Sequence, residues 1–341
     1  MNNISVLGLD LAKNSFQAAI LNGHGKQVRQ RTLRRQQVLE YLMNADVDVI
    51  AMEACSGAHH LARTLQAAGR TVQLLPSQHV KGYLRGQKND RNDALAIAEA
   101  CQHGRIRPVQ VKTQDHQDDQ AFHRIRNRLK QDQTSLINQM RGLLSEYGLV
   151  IAQGVASFRK EIPWILENAE NGLSPRFREL LDRRYQHLLA LQEELDWFDQ
   201  CLNEQVKQNP VCQKLMALPG VGPVVSSQLA CWMGNGRQFT RGRDASAALG
   251  VVPRQYSTGG RESLYGITKR GDPNLRAAMV HGCRAVVAAA VKKGKDDHLS
   301  QWIQSIVARR GFNKAVVALV NKLVRVAWVI VARGESYRPA G

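Results

Sequence analysis

The chain opens on ISVLGLDLA, an apolar alternation that predicts a strand and stops at Asp10. The next stretch, SFQAAILNGHGKQVRQRTL, reads as two strands joined by a glycine-rich turn at Asn22–Gly25. A short helix from about Gln36 to Met43 follows, and DVDVIAMEA is a further strand ending near Glu53. AHHLARTLQAAG predicts a helix closed by Gly69, TVQLLP a strand stopped by Pro76, and the run from Asp90 a helix closed by Gly104. Strand, hairpin and then alternating helix and strand describe a mixed α/β sheet over residues 1–112.

The pattern changes after that. Residues 113–210 are polar, with few breakers outside Gly148–Gly154, Pro163 and Gly172–Pro175. Leu188, Leu191, Leu195, Phe198 and Leu202 step by three and four, which is the seam of a coiled coil or of a long helical hairpin. One reading is an oligomerisation arm, the other a helix pair within the chain. Residues 211–341 are helical and glycine-interrupted, and are expected to form an all-α domain. Within them LPGVGP places Gly220 and Gly222 between two helical runs, like a helix-hairpin-helix turn whose glycines let a phosphate approach backbone N–H groups. The apolar run AVVALVNKLVRVAWVIVA is broken by Asn321, Lys322 and Arg325, so it predicts a buried helix rather than a membrane span.

Charge sharpens this division. The chain of 341 residues has a formal net charge of +18. Residues 211–341 hold 20 Lys and Arg against 6 Asp and Glu, while residues 111–210 hold 13 against 15. A segment that basic fits a polyanion, since phosphate contacts release counterions. The six cysteines form no C-x-x-C pair and suggest neither a zinc site nor a disulfide framework, and no secretory signal is evident, so a reducing cytoplasm is expected. KKGKDD at 292–297 reads as a solvated turn, and His59–His60 as helix-surface residues.

Four acids need a reason. Asp10 and Glu53 end apolar strands, where a carboxylate is costly without a partner. Asp90 and Asp93 share one helix face. One explanation is ordinary: Asp90 as N-cap and Asp93 favoured in the first turn by the macrodipole. The other is a cluster holding divalent cations such as Mg²⁺, which take carboxylate oxygens and substrate phosphate. A second stretch, PRQYSTGGRESLYGITKRGD, is unlike helix or strand. Its Ser257 and Thr258 precede paired glycines, with Arg254, Arg261, Lys269 and Arg270 around them. A hydroxyl there has room to reach phosphorus, with cations to stabilise the charge. It fits equally an ST-turn in a basic binding loop.

GLDLAK, MEACSG, KNDRNDA, LPGVGP and LGVVPRQYSTGGRESLYGITKRGDPNLR occur in that order. Together they resemble the DEDD-type insertion-sequence transposases. The resemblance implies a RuvC-like, RNase H-like domain over 1–112, a coiled-coil middle over 113–210 and a transposase domain over 211–341. It implies that Asp10, Glu53, Asp90 and Asp93 form a tetrad holding Mg²⁺, and that Ser257, or Thr258 if the loop length differs by one, is a nucleophile in DNA recombination. It further implies donor and target DNA, a non-coding guide RNA, a homodimer assembling to a tetramer, and no membrane. Two other readings remain: a metal-dependent junction nuclease without a covalent intermediate, and a non-catalytic nucleic-acid binder.

Overall fold

The computed structural model describes residues 4–85, 89–294 and 296–339. Lys88 of KNDRNDA and Lys295 of KKGKDD lie outside the described residues. Contacts divide the chain into two compact units, residues 1–117 and 118–341.

The first unit is a five-stranded mixed sheet. Its elements are β1 (Val6–Asp10), β2 (Ser15–Leu21), β3 (Gln27–Arg34), α1 (Arg35–Met43), β4 (Val49–Glu53), α2 (Ala58–Ala67), β5 (Val72–Leu75), α3 (Ser77–Val80) and α4 (Asp90–Gln102). The strand order is β3-β2-β1-β4-β5, with the hairpin strands antiparallel and β1, β4 and β5 mutually parallel. The alternation along β1 sorts its side chains between two layers. Leu7 and Leu9 join Ile50, Met52, α1 and α2 on one face. Val6 joins Val49, Ala51 and α4 on the other. A sheet covered on both faces needs apolar residues at nearly every central position, which β1 and β4 supply. The edge strand β3 buries only Leu33 and, apart from the exposed Val28, otherwise shows arginine, glutamine and threonine, which discourages pairing with another strand.

Gly8 sets the depth of the sheet against α4. A Cβ there would lie 2.2 Å from the Ala94 carbonyl oxygen and 2.6 Å from the Ala98 nitrogen. Only glycine lets β1 lie this close to the helix, and this contact fixes where the helix begins relative to the end of the strand.

α5 (Gln114–Ser145) runs into the second unit, which continues with α6 (Val155–Glu167), α7 (Pro175–Gln208), α8 (Pro210–Met216), α9 (Pro223–Met233) and α10 (Gly242–Leu249). A hairpin of β6 (Pro253–Gln255) and β7 (Leu264–Ile267) follows, then α11 (Pro273–Lys293), α12 (His298–Arg310) and α13 (Phe312–Arg333). α5 and α7 run antiparallel: Arg126 donates to Asp199 at 2.7 Å and Gln133 to Gln192 at 2.7 Å. Of the predicted seam, Leu188 and Leu191 pack against Leu136, Ile137 and Met140 of α5 and Phe158 of α6, and Leu202 against Cys212. The seam is therefore buried within the chain.

The basic segment is not all-α, because the hairpin interrupts it. All but one of its strand residues are exposed, so no apolar alternation marked them as strands. α13 is the centre of this part. Among the described residues it is the one helix long and apolar enough to cross a membrane, with mean hydropathy 2.0. Ala315, Leu319, Leu323 and Ala327 nevertheless lie in the core with α9, α10 and α11, and half of its apolar window is buried, as expected of a core helix.

Candidate active site

Asp10 closes β1, and α4 begins at Asp90. Strand register puts Leu9 beside Met52, so Asp10 and Glu53 end neighbouring parallel strands at the same edge of the sheet. The N-cap of α4 is Asn89, whose side chain accepts from the Asn92 N–H at 2.9 Å. Asp90 is thereby relieved of the capping role the sequence allowed it. Asp90 and Asp93 sit in the first turn, where the helix dipole favours carboxylates. Ligand oxygens of Asp10, Asp90 and Asp93 all lie within 4.8 Å of one another, with Asp90 exposed and the other two half-buried. Glu53 stands outside that group.

Carboxylates this close repel, and they do so more strongly at the edge of a packed sheet than in open water. The charge is felt nearby: the Cys55 thiol is pushed up by desolvation, then by Glu53 and Asp10. Three oxygen donors converging on one point, with no nitrogen or sulfur among them, suit a hard divalent cation of the Mg²⁺ type. His59, which the sequence placed on a helix surface, is half-buried instead. Its Nδ1 accepts the Lys112 N–H at 3.2 Å, and burial beside Lys112 and Arg63 lowers its pKa to about 4. His60 is exposed as expected.

In the second unit Ser257 and Thr258 are both exposed at the tip of the β6–β7 hairpin. Thr258 and Arg261 bond each other through their backbones across Gly259 and Gly260, both at positive φ with open space where a Cβ would stand. Thr258 thus belongs to the turn, and Ser257 precedes it. The Ser257 Oγ accepts from Gln255 Nε2 at 2.9 Å, which leaves its own proton available for donation. Arg254 and Arg261 are exposed on the hairpin with it, and Lys269 and Arg270 are exposed at the hairpin's root.

The root of the hairpin is tightly held. A Cβ on Gly250 would lie 2.3 Å from the Arg270 backbone, and one on Gly271 2.1 Å from the Ala248 carbonyl oxygen. The Arg276 guanidinium donates to the carbonyls of Leu249 at 3.0 Å and Arg270 at 2.6 Å. Among the described residues Lys269 is the one non-glycine at positive φ, +56°. The sequence pattern singled out the tip and not these clamps, although Gly271 lies within the stretch and Gly250 just before it.

The LPGVGP glycines differ from one another. Gly220 packs on α11, where a Cβ would lie 2.7 Å from the Gly282 carbonyl oxygen. Gly222 caps α9 with open space beside it.

Residues 7–149 match the DEDD transposase family of IS110, and residues 212–298 match the transposase family of IS116, IS110 and IS902. The transposase of insertion sequence element IS1111A from Coxiella burnetii is 42% identical over 99% of this chain and 92% of that protein. The chain belongs to the IS110/IS1111 family of insertion-sequence transposases. A probable family 20 transposase of Pseudomonas aeruginosa is 39% identical, and the IS1328 transposase of Yersinia enterocolitica 35%, each over 99% of both chains. Among solved structures, Thermus thermophilus RuvC in complex with a Holliday junction substrate covers 31% of this transposase and 99% of its own chain, at 15% identity and a TM-score of 0.25.

Proposed function

We propose that this transposase breaks and rejoins DNA strands with two sets of residues, the acids of residues 1–117 and the serine hairpin of residues 118–341. The observation that carries the reading is the convergence of Asp10, Asp90 and Asp93 within 4.8 Å, from a strand end and a helix start far apart in sequence. With Glu53 beside them on the neighbouring strand, they would hold Mg²⁺, which supplies charge stabilisation at a phosphodiester when bound. Ser257 is the nucleophile. Its Oγ forms a bond to phosphorus as the P–O bond to the departing strand breaks, its proton leaves, and the departing strand ends in a free hydroxyl. The phosphoserine link keeps the phosphodiester energy for rejoining. Arg254, Arg261, Lys269 and Arg270 neutralise phosphate around the hairpin, and Gly222 offers backbone N–H groups at the start of α9. The family resemblance adds a non-coding guide RNA and assembly from dimer to tetramer.

The test is a covalent trap. Protein, Mg²⁺, RNA transcribed from the flank of the element and labelled donor and target DNA are incubated, then denatured. Label on the protein, lost with Ser257→Ala and retained with Thr258→Ala, is the expected result. Loss only with Thr258→Ala moves the nucleophile by one residue. Nicks without an adduct, dependent on Mg²⁺, replace the proposal with a junction nuclease.

A further inference from the structure

An open cleft of about 1400 Å³ lies in the second unit between the β6–β7 hairpin, the start of α10, and α12 and α13. Of its cations the sequence singled out only Lys322 and Arg325, as residues that break an apolar run. Five cations line it: Arg241, Arg243, Lys314, Lys322 and Arg325, of which Arg241 is paired with Asp244 at 3.4 Å, and among its described lining residues there is no carboxylate. Its floor is apolar, made by Val317, Val326 and Val329 of α13. One wall is the hairpin itself, through Leu264 and Tyr265, which are 63% and 57% exposed although both are large and apolar. Lys322 is not a loose surface lysine. Its Nζ rests 4.7 Å from the centre of the Trp302 ring, which stations the cation inside the cleft.

An occupant must therefore be anionic at its edge and flat or apolar at its centre. A duplex meets the first condition and fails the second, because its bases are stacked and paired inside its phosphates. A strand with an unstacked base meets both, with phosphates on the rim and the base face against Tyr265 and the valine floor. We infer that this cleft is a subsite for single-stranded nucleic acid, taking an unstacked base beside the serine hairpin. The inference rests on the proposed strand-transfer function, because that function supplies a separated strand within reach of the same hairpin. It adds a subsite that the hairpin and the acidic residues do not need for their own roles.

The experiment uses the full chain and two probes: a fluorescein-labelled single-stranded oligonucleotide and the corresponding duplex. Tyr265→Ala changes an exposed side chain, so the fold is not at risk. Lys314→Gln removes one exposed rim charge. Tyr265→Ala is expected to weaken single-strand binding about 10-fold and duplex binding less than 2-fold. Lys314→Gln is expected to lower the salt dependence of single-strand binding by about one phosphate contact. A strand carrying 5-iodouracil is expected to crosslink to the peptides that hold Tyr265 or Trp302. Equal losses for strand and duplex with Tyr265→Ala, or crosslinks confined to peptides outside the cleft, overturn the inference. So does wild-type strand affinity in Tyr265→Ala together with a concentration-dependent change in oligomeric state, which would make the cleft a contact between copies. The Ser257 adduct assay reads the function separately: an adduct with no strand preference in the cleft sinks the subsite and leaves the function standing.

Discussion

The acidic centre and the serine hairpin are built in opposite ways. The carboxylates stand on elements packed on their other sides, with β1 buried from Val6 to Leu9 and pressed onto α4 through Gly8. The serine stands on a hairpin exposed at nearly every strand residue and fixed only at its root, through Gly250, Gly271 and Arg276. Like charges will not gather unless a rigid frame holds them, so the acidic residues need a complete core behind them. A neutral hydroxyl has no such demand. Its position can be set by the substrate, provided the root stays in place.

The largest effect should come from the rigid side. Asp90 is exposed, and its removal leaves no cavity. Asp90→Asn is expected to lower strand joining on the order of 10³-fold, the equivalent of several kcal/mol of lost charge stabilisation. Its thermal midpoint should not fall, because one repelling charge is gone. Joining within about 10-fold of wild type would take the carboxylates out of the chemistry.

Next come the two glycines that set the frames. Gly8→Ala puts a methyl into the Ala94 carbonyl, and Gly250→Ala puts one into the Arg270 backbone at φ +79°. Each is expected to cost about 3 kcal/mol by overpacking, read as denaturation midpoints. The comparison predicts different companions to that loss. Gly8→Ala should weaken Mg²⁺-dependent stabilisation, since it moves α4 away from Asp10. Gly250→Ala should leave that stabilisation unchanged and reduce adduct formation. If both variants lose metal-linked stability equally, the two centres are not independently framed.

A third difference is in pH response. His123 is 7% exposed, with Nε2 2.9 Å from Ser227 Oγ and Nδ1 unpartnered. Burial first, then Arg126, lowers its pKa to about 4, against the opposing charges of Asp119 and Asp272. Folded-state pKa lies below the unfolded value near 6.5, so the unfolded chain binds the proton first as pH falls. Stability from this group is whole above about 6.5, declines through the interval, and is lost by about 4. At pH 5 the loss is about 2 kcal/mol. His123→Gln should flatten that part of the stability profile in the second unit. A profile equally steep in the variant assigns the acid sensitivity elsewhere, with half-buried His59 of the first unit the next candidate.

How far each region could be read from sequence follows from the same contrast. Alternation in ISVLGLDLA and DVDVIAMEA exposes two strands buried on both faces, and the acids that end them stand out against it. The motif order carried the rest of the family assignment. Convergence was not legible, because it depends on Gly8 letting α4 lie against β1, and a single glycine in an apolar strand has several explanations. Asn89 as the cap also escaped notice, since Asp90 is an equally good capping residue. The hairpin had no periodicity to read, and its strands are set by backbone clamps on Gly250 and Gly271. The cationic cleft draws its residues from α10, β7, α12 and α13, so no local pattern announced it. The leucine seam was clear as a pattern, yet its partner was not: period alone does not distinguish a helix of the same chain from one of another.

The smallest expected effect tests the flexible tip. Gly260 has φ +79° with nothing within 4 Å of where a Cβ would stand, so Gly260→Ala meets no neighbour and pays only for its backbone conformation. That cost is about 1 kcal/mol. Gly260→Asn should recover most of it, since asparagine tolerates the left-handed region better than other side chains. If the tip is positioned by the substrate, adduct formation in both variants should stay within a few-fold of wild type, whereas Gly250→Ala at the root loses much more. A large loss in Gly260→Asn, despite recovered stability, would show that the tip itself must be bare for a phosphate to approach. The hairpin would then resemble the acidic centre in depending on a close approach that only glycine allows.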